Sequence, residues 1–167
     1  LYLIGGSTPD KETSSECFYF NITEKKWHSM PNLNNPRKNA SLCFYNNTLY
    51  VFRGEDNNNV LDTIEYYNII NNKKRWNIFK PIDNGYVWYP AKNSMIVTID
   101  KDKILVCGGE DNEGNVFKDC FLFEPSTNSV YKGLDLVLSS YFISEGCFYQ
   151  NEIFGIDYKN ITQNNNR

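Results

Sequence analysis

Leu49-Tyr50-Val51-Phe52-Arg53-Gly54 is an apolar run that stops on a glycine, and the chain carries three versions of it. The others are Leu1-Tyr2-Leu3-Ile4-Gly5-Gly6 and Ile104-Leu105-Val106-Cys107-Gly108-Gly109. An unbroken apolar run of this length, closed by glycine, reads as a strand buried on both faces. Further echoes lie around it. Cys17-Phe18-Tyr19-Phe20-Asn21 returns 103 residues later as Cys120-Phe121-Leu122-Phe123-Glu124. Cys43-Phe44-Tyr45-Asn46-Asn47-Thr48 returns 104 residues later as Cys147-Phe148-Tyr149-Gln150-Asn151-Glu152. Pro36-Arg37-Lys38-Asn39-Ala40 returns after 54 as Pro90-Ala91-Lys92-Asn93-Ser94. The intervals are one and two copies of a unit near 50 residues long.

Each unit reads as four strands. In the middle copy these are Ala40–Tyr45, Thr48–Arg53, Thr63–Tyr67 and Arg75–Phe79, with tight turns at Asn46-Asn47 and Asn71-Asn72. A small sheet cannot bury both faces alone, so copies must pack side by side, as blades of a propeller do. The expected fold is all-β, an incomplete β-propeller of about three blade equivalents of four-stranded antiparallel sheet. Its expected parts are a partial blade over 1–39, blades over 40–92 and 93–139, a partial blade over 140–158, and a polar Asn-rich tail over 159–167. Propellers close with about four to eight blades. The chain is therefore expected to be cut from a longer protein that supplies the remaining blades, and to be marginal or aggregating alone, because end blades expose apolar faces.

The ordered motifs resemble the Kelch repeat, over nearly the whole chain from Leu1 to about Tyr158. In that family an apolar strand closes on a double glycine, a later strand ends in an aromatic, and a Trp follows in the next strand. Gly5-Gly6, Phe20 and Trp27 fit, as do Gly54, Tyr67 and Trp76. Gly108-Gly109 and Phe123 keep the pattern, with Val130 at the Trp position. Arg53 replaces the first glycine of the middle copy; it reads as a channel-lining group or as drift at a degenerate site. The aromatics are expected to fill space between twisted blades.

The resemblance implies a non-enzymatic protein–protein interaction module, a cytoplasmic scaffold with the cytoskeleton among its candidate sites. A second reading is the substrate-recognition propeller of a cullin-type ubiquitin ligase adaptor, which needs an attached helical BTB and BACK region. A third is a sugar oxidase or isomerase on the same scaffold. In Kelch domains the loops joining strands two and three, and those joining blades, gather on one face and hold partners. The first set is residues 7–15, 55–62 and 110–117; the second is 31–38, 81–92 and 132–140. Exposed aromatics and arginines dominate interface hot spots. Arg37, Tyr86, Trp88 and Tyr89 are therefore the candidate rim for a protein partner of unknown identity; a competing reading folds Trp88 and Tyr89 back onto the blade.

Other chemistry has little to work with. No catalytic residue, metal ligand set or cofactor is expected. His28 is the one histidine, too few for a copper or zinc centre, and reads as a surface group. Glu55-Asp56 and Glu110-Asp111 read as solvated loop acids before they read as a cation site. A net charge of −3 gives no general attraction to nucleic acid or an anionic membrane, and no apolar run is long enough to span a bilayer as a helix. Five cysteines without CxxC spacing read as buried free thiols in a reducing compartment. Sequons at Asn21, Asn39, Asn46 and Asn160 carry little weight, because 24 of the 167 residues are Asn.

Overall fold

The computed structural model describes residues 1–71, 74–100, 102–133, 135–136, 143–150 and 152–157. The tail at 159–167, Asn72 of the second Asn pair, and residues 134 and 137–140 of the last inter-blade stretch lie outside the described residues.

Every regular element described is a strand. β1 (Tyr2–Ile4), β2 (Cys17–Asn21) and β3 (Lys26–Met30) form the first sheet. β4 (Ser41–Tyr45), β5 (Thr48–Phe52), β6 (Ile64–Asn68) and β7 (Asn77–Phe79) form the second, in sequence order and antiparallel throughout. The third contains β9 (Met95–Asp100), β10 (Lys103–Cys107), β11 (Cys120–Glu124) and β12 (Ser129–Lys132), again in order. β13 (Ile143–Tyr149) and β14 (Glu152–Asp157) pair as a fourth. The arrangement is all-β and open, a partial propeller, with the leading strands β4, β9 and β13 side by side. Asn46 and Asn47 both have positive φ, 44° and 58°, which is the backbone a two-residue hairpin turn demands.

Strand alternation assigns each side chain to a neighbour. On β5, Leu49 and Val51 face the first sheet, where they meet Tyr2, Ile4, Cys17 and Met30. Tyr50 and Phe52 face the third sheet and pack with Ile104, Val106, Phe121 and Phe123. The other face of the third sheet holds Met95, Val97, Leu105 and Cys107. The motif aromatics always face the preceding sheet: Tyr67 with Trp76 toward the first, Phe123 with Val130 toward the second. In the first sheet the same face has no described sheet before it. The Phe20 and Trp27 rings meet there at a tilt of 56°, and Trp27 stays 50% exposed.

Two features depart from the sequence reading. The stretch after β7, expected as loop alone, lays down β8 (Ile82–Asp83), a short fifth strand parallel to β12. It covers backbone groups that the outer edge of that sheet would otherwise leave unpaired. Cys107 and Cys120, expected as free thiols, are joined as a disulfide. They are register partners on β10 and β11, with Cα atoms 4.1 Å apart, where the equivalent pairs are Ile4–Cys17 and Phe52–Ile64. Cys17 stays free and buried, which pushes its thiol up to about 11.

Glycine is required where one sheet meets the connection to the next. Gly109 has φ 99°, and a Cβ there would lie 2.7 Å from the Lys92 carbonyl oxygen. Gly114, on the open loop, has φ 82° with nothing within 4 Å. Gly114→Ala should cost about 1–2 kcal/mol from backbone strain alone. Gly109→Ala should shift the urea midpoint markedly further. A second check is peptide mapping after alkylation. Only the thiolate reacts. Native Cys17 should therefore resist iodoacetamide until denaturant is added, and the Cys107 and Cys120 peptides should stay joined until reductant is added. Because Cys17 keeps its proton longer folded than unfolded, its contribution to stability is whole below pH 9 and is lost as pH rises through about 11.

Candidate partner-binding face

Antiparallel order places the loops after β1, β5 and β10 at the same end of the sheets as the connections that follow β3 and β7. The hairpin turns occupy the other end. His28 belongs to that other end, stacked on Tyr19 with Nε2 2.8 Å from Glu24 Oε2.

The loop end is built on two successive junctions with the same backbone plan. Gly6 N–H donates to the Arg37 carbonyl at the first, and Gly54 N–H to the Ala91 carbonyl at the second. Lys38 and Glu55 exchange backbone hydrogen bonds at the first, as Lys92 and Glu110 do at the second. Each connection is thereby sewn to both sheets it joins.

Inside the first junction lies an ion pair with no solvent exposure. Arg37 Nη2 donates to Glu65 Oε1 at 2.7 Å, and its Nη1 donates to the carbonyl of Arg53 at 2.8 Å. Glu65 also accepts from the backbone N–H groups of Asn34 and Asn35, at 2.7 and 3.0 Å, and from Asn34 Nδ2 at 2.8 Å. Burial pulls the Arg37 guanidinium below its ordinary range, and Glu65 opposes that pull. Trp76 closes the junction, its Nε1–H donating to the Pro31 carbonyl at 2.8 Å.

The second junction holds a guanidinium too, delivered from elsewhere. Ala91 stands where Arg37 stood, and Phe121 where Glu65 stood. Arg53 fills the space from the position that is Gly5 and Gly108 in the other sheets. Its φ of 56° matches their 62° and 63°. Its Nη1 lies 3.4 Å from the Gly108 carbonyl, the counterpart of the carbonyl Arg37 uses, and 3.1 Å from Ser94 Oγ. Its Cζ sits 3.8 Å from the Trp88 ring centroid, 5.1 Å from Tyr89 and 5.5 Å from Phe121. Such cation–π contacts contribute about 2 kcal/mol when desolvated. Nε and Nη2 find no hydrogen-bond partner among the described residues, and burial lowers the guanidinium to about 10. Arg53 is thus neither channel-lining nor idle drift; it braces the inter-blade segment.

That brace decides where the expected rim residues lie. Arg37 and Trp88 are buried rather than exposed. Trp88 folds inward under Arg53 and donates its Nε1–H to the Asp62 carbonyl at 2.6 Å. Tyr89 is half-buried, its hydroxyl donating to Asp119 at 2.9 Å. Tyr86 is exposed, and Val87 beside it is 76% exposed. Glu65 was passed over in the sequence, although an acid amid Ile64, Tyr66 and Tyr67 is the mark of a buried charge needing a partner. Glu55 and Glu110 are engaged by Lys92 and Asn39 and by Asn93, and no cluster fit for a metal ion occurs among the described residues.

A row of two-faced sheets joined through sealed junctions, with their long loops at one end, is a β-propeller segment of the kind that presents a loop face. The chain belongs to the Kelch-repeat family: residues 1–134 match the model of the KLHDC2/KLHL20/DRC7 Kelch-repeats domain. It is also similar to the Kelch-like protein terF of Aspergillus terreus, with 28% identity over 92% of this chain. The chain spans about a third of that relative, 34% of its length. Kelch-repeat domains typically serve as protein-interaction scaffolds.

Removing one partner of a sealed ion pair strands the other. Glu65→Ala should lower stability by about 3–5 kcal/mol. Arg37→Met combined with Glu65→Leu should recover only part of this in urea unfolding, since the N–H groups of Asn34 and Asn35 still lose their acceptor.

Proposed function

We propose that this chain is part of a non-enzymatic protein–protein interaction module that recognises its partner with the loop face. The observation that carries the reading is the contrast within one connection. Trp88 is locked under Arg53 and onto the Asp62 carbonyl, while Tyr86 and Val87, next to it in sequence, project into solvent. An exposed aromatic on an anchored segment offers large contact area at small entropic cost. Arg37 and Trp88 serve this rim from inside, by fixing the segments that carry it. The single histidine is held by Glu24 at the opposite end, so the loop face offers no imidazole for acid–base work.

The test is capture of binding proteins from a lysate with immobilised chain. Tyr86→Ala combined with Val87→Ser should reduce a specifically captured partner by about tenfold or more. Both side chains are exposed, so the thermal melt should not change. Retention of every captured protein by the double variant refutes the reading.

A further inference from the structure

The charges on the loop face are matched in one direction only. Every described lysine there is already held by a carboxylate. Lys11 reaches Glu16 at 3.3 Å, Lys38 Glu12 at 3.0 Å, Lys80 Asp62 at 2.6 Å and Lys92 Glu55 at 2.7 Å. Lys118 meets Asp135 at 3.7 Å, and Lys132 meets both Asp119 and Asp135. The two arginines at this end of the sheets are internal, Arg37 on Glu65 and Arg53 beneath Trp88 and Tyr89. The converse fails. Asp10, Asp56, Glu110, Asp111 and Glu113 have no lysine or arginine in ion-pair contact among the described residues. The charge this face has left to offer is negative.

Two of those carboxylates, Asp111 and Glu113, stand at a groove of about 370 Å³ between the second and third sheets. Its remaining walls are chiefly apolar: Val60, Tyr89, Pro90 and Phe117. The Tyr89 and Phe117 ring centroids are 4.2 Å apart. The groove is firm, because Tyr89 is tied to Asp119 and its ring packs on Arg53, which does not itself line the groove. Asp111 is fixed by Asn115 Nδ2 at 2.8 Å and by the N–H groups of Glu113 and Asn115 at 2.9 Å. The Asn115 side chain, with help from those backbone donors, holds its carboxyl below the usual range, so it is ionised at neutral pH.

An acidic side chain finds no uncommitted cation here. A long basic one finds apolar and aromatic surface for its methylenes and carboxylates for its head. We propose that the groove takes a lysine or arginine side chain from a basic segment of a partner protein. This rests on the reading of the loop face as partner-binding and names the chemistry of what binds.

The experiment is fluorescence anisotropy on the 167-residue chain with two labelled peptides of equal length, one of Lys-Gly repeats and one of Glu-Gly repeats. The lysine peptide should bind, weakening as salt is raised, and the glutamate peptide should not. Asp111→Asn with Glu113→Gln, which removes both charges at nearly constant side-chain size and keeps one Asp111 oxygen for the backbone N–H groups while giving up the acceptor of Asn115 Nδ2, should weaken the lysine peptide about tenfold. Glu24→Gln with Asp102→Asn removes the same charge from the opposite end and should leave binding within about twofold. Equal loss in both double variants means diffuse attraction and overturns the proposal. So does failure of the lysine peptide to bind, or equal binding of the glutamate peptide. A dimer in sedimentation that Asp111→Asn with Glu113→Gln abolishes would assign the groove to a second copy, which also overturns it. If the lysine peptide fails while Tyr86→Ala with Val87→Ser still loses the captured partner, only this inference falls and the partner-binding face stands.

Discussion

The sheets of this protein carry apolar side chains on both faces, so each needs a neighbour on either side to keep them from water. That single constraint organises the molecule. Tyr50 and Phe52 reach one way from β5 and Leu49 and Val51 the other, tying three sheets together through one strand. Facing sheets twist relative to one another, so the space between them is uneven and wide rings fill it. The Phe123 ring meets Tyr50 and Phe52 edge-on, at 5.8 and 5.4 Å between centroids, and Tyr67 with Trp76 does the same work one junction earlier. Where no described sheet faces these positions, the same residue types, Phe20 and Trp27, remain half in solvent.

At the loop end, dry packing gives way to buried charge. Just past the ends of β5 and β10, the carbonyls of Arg53 and Gly108 lie beyond the strand ladders and need donors from elsewhere. The guanidiniums of Arg37 and Arg53 serve those carbonyls from within. In the first junction the cation is balanced by Glu65, and the carboxylate in turn collects the amides of the incoming connection. In the second, aromatic faces replace the carboxylate, and two of the guanidinium nitrogens have no hydrogen-bond partner among the described residues. The outcome in both is a rigid connection from which a few side chains project, and the loop face they form is a product of that rigidity.

Much of this was legible in the chain itself. The period, the all-β class and the strand order follow from repeated letters and from the alternation of apolar positions, and the loop end follows from the family resemblance those letters carry. Exposure in the connections was not legible. A stretch such as Tyr86-Val87-Trp88-Tyr89 is uniformly apolar, so pattern alone cannot say which member turns inward; Arg53, more than thirty residues away, decides it. Arg37 looked like a hot-spot residue because its acceptor, Glu65, lies 28 positions off on another strand. The disulfide escaped for a similar reason. Cys107 and Cys120 are unremarkable in spacing and meet only because β10 and β11 pair in that register.

The exchange between the two junctions bears on how repeats of this kind diverge. Compared column by column, the middle repeat carries Arg53 where the others carry Gly5 and Gly108, and the second connection carries Ala91 where the first carries Arg37. In space the two differences answer one another: a guanidinium stands beside the carbonyl at the end of the following strand in both junctions, attached at a different point in each. What the two junctions share is a position for positive charge, and the backbone offers more than one root from which to reach it. Divergent repeats that score as degenerate by letter can therefore be intact by electrostatics. Placing arginine at Ala91 alone would leave the second junction with two guanidiniums, and placing glycine at Arg53 alone would leave it with none.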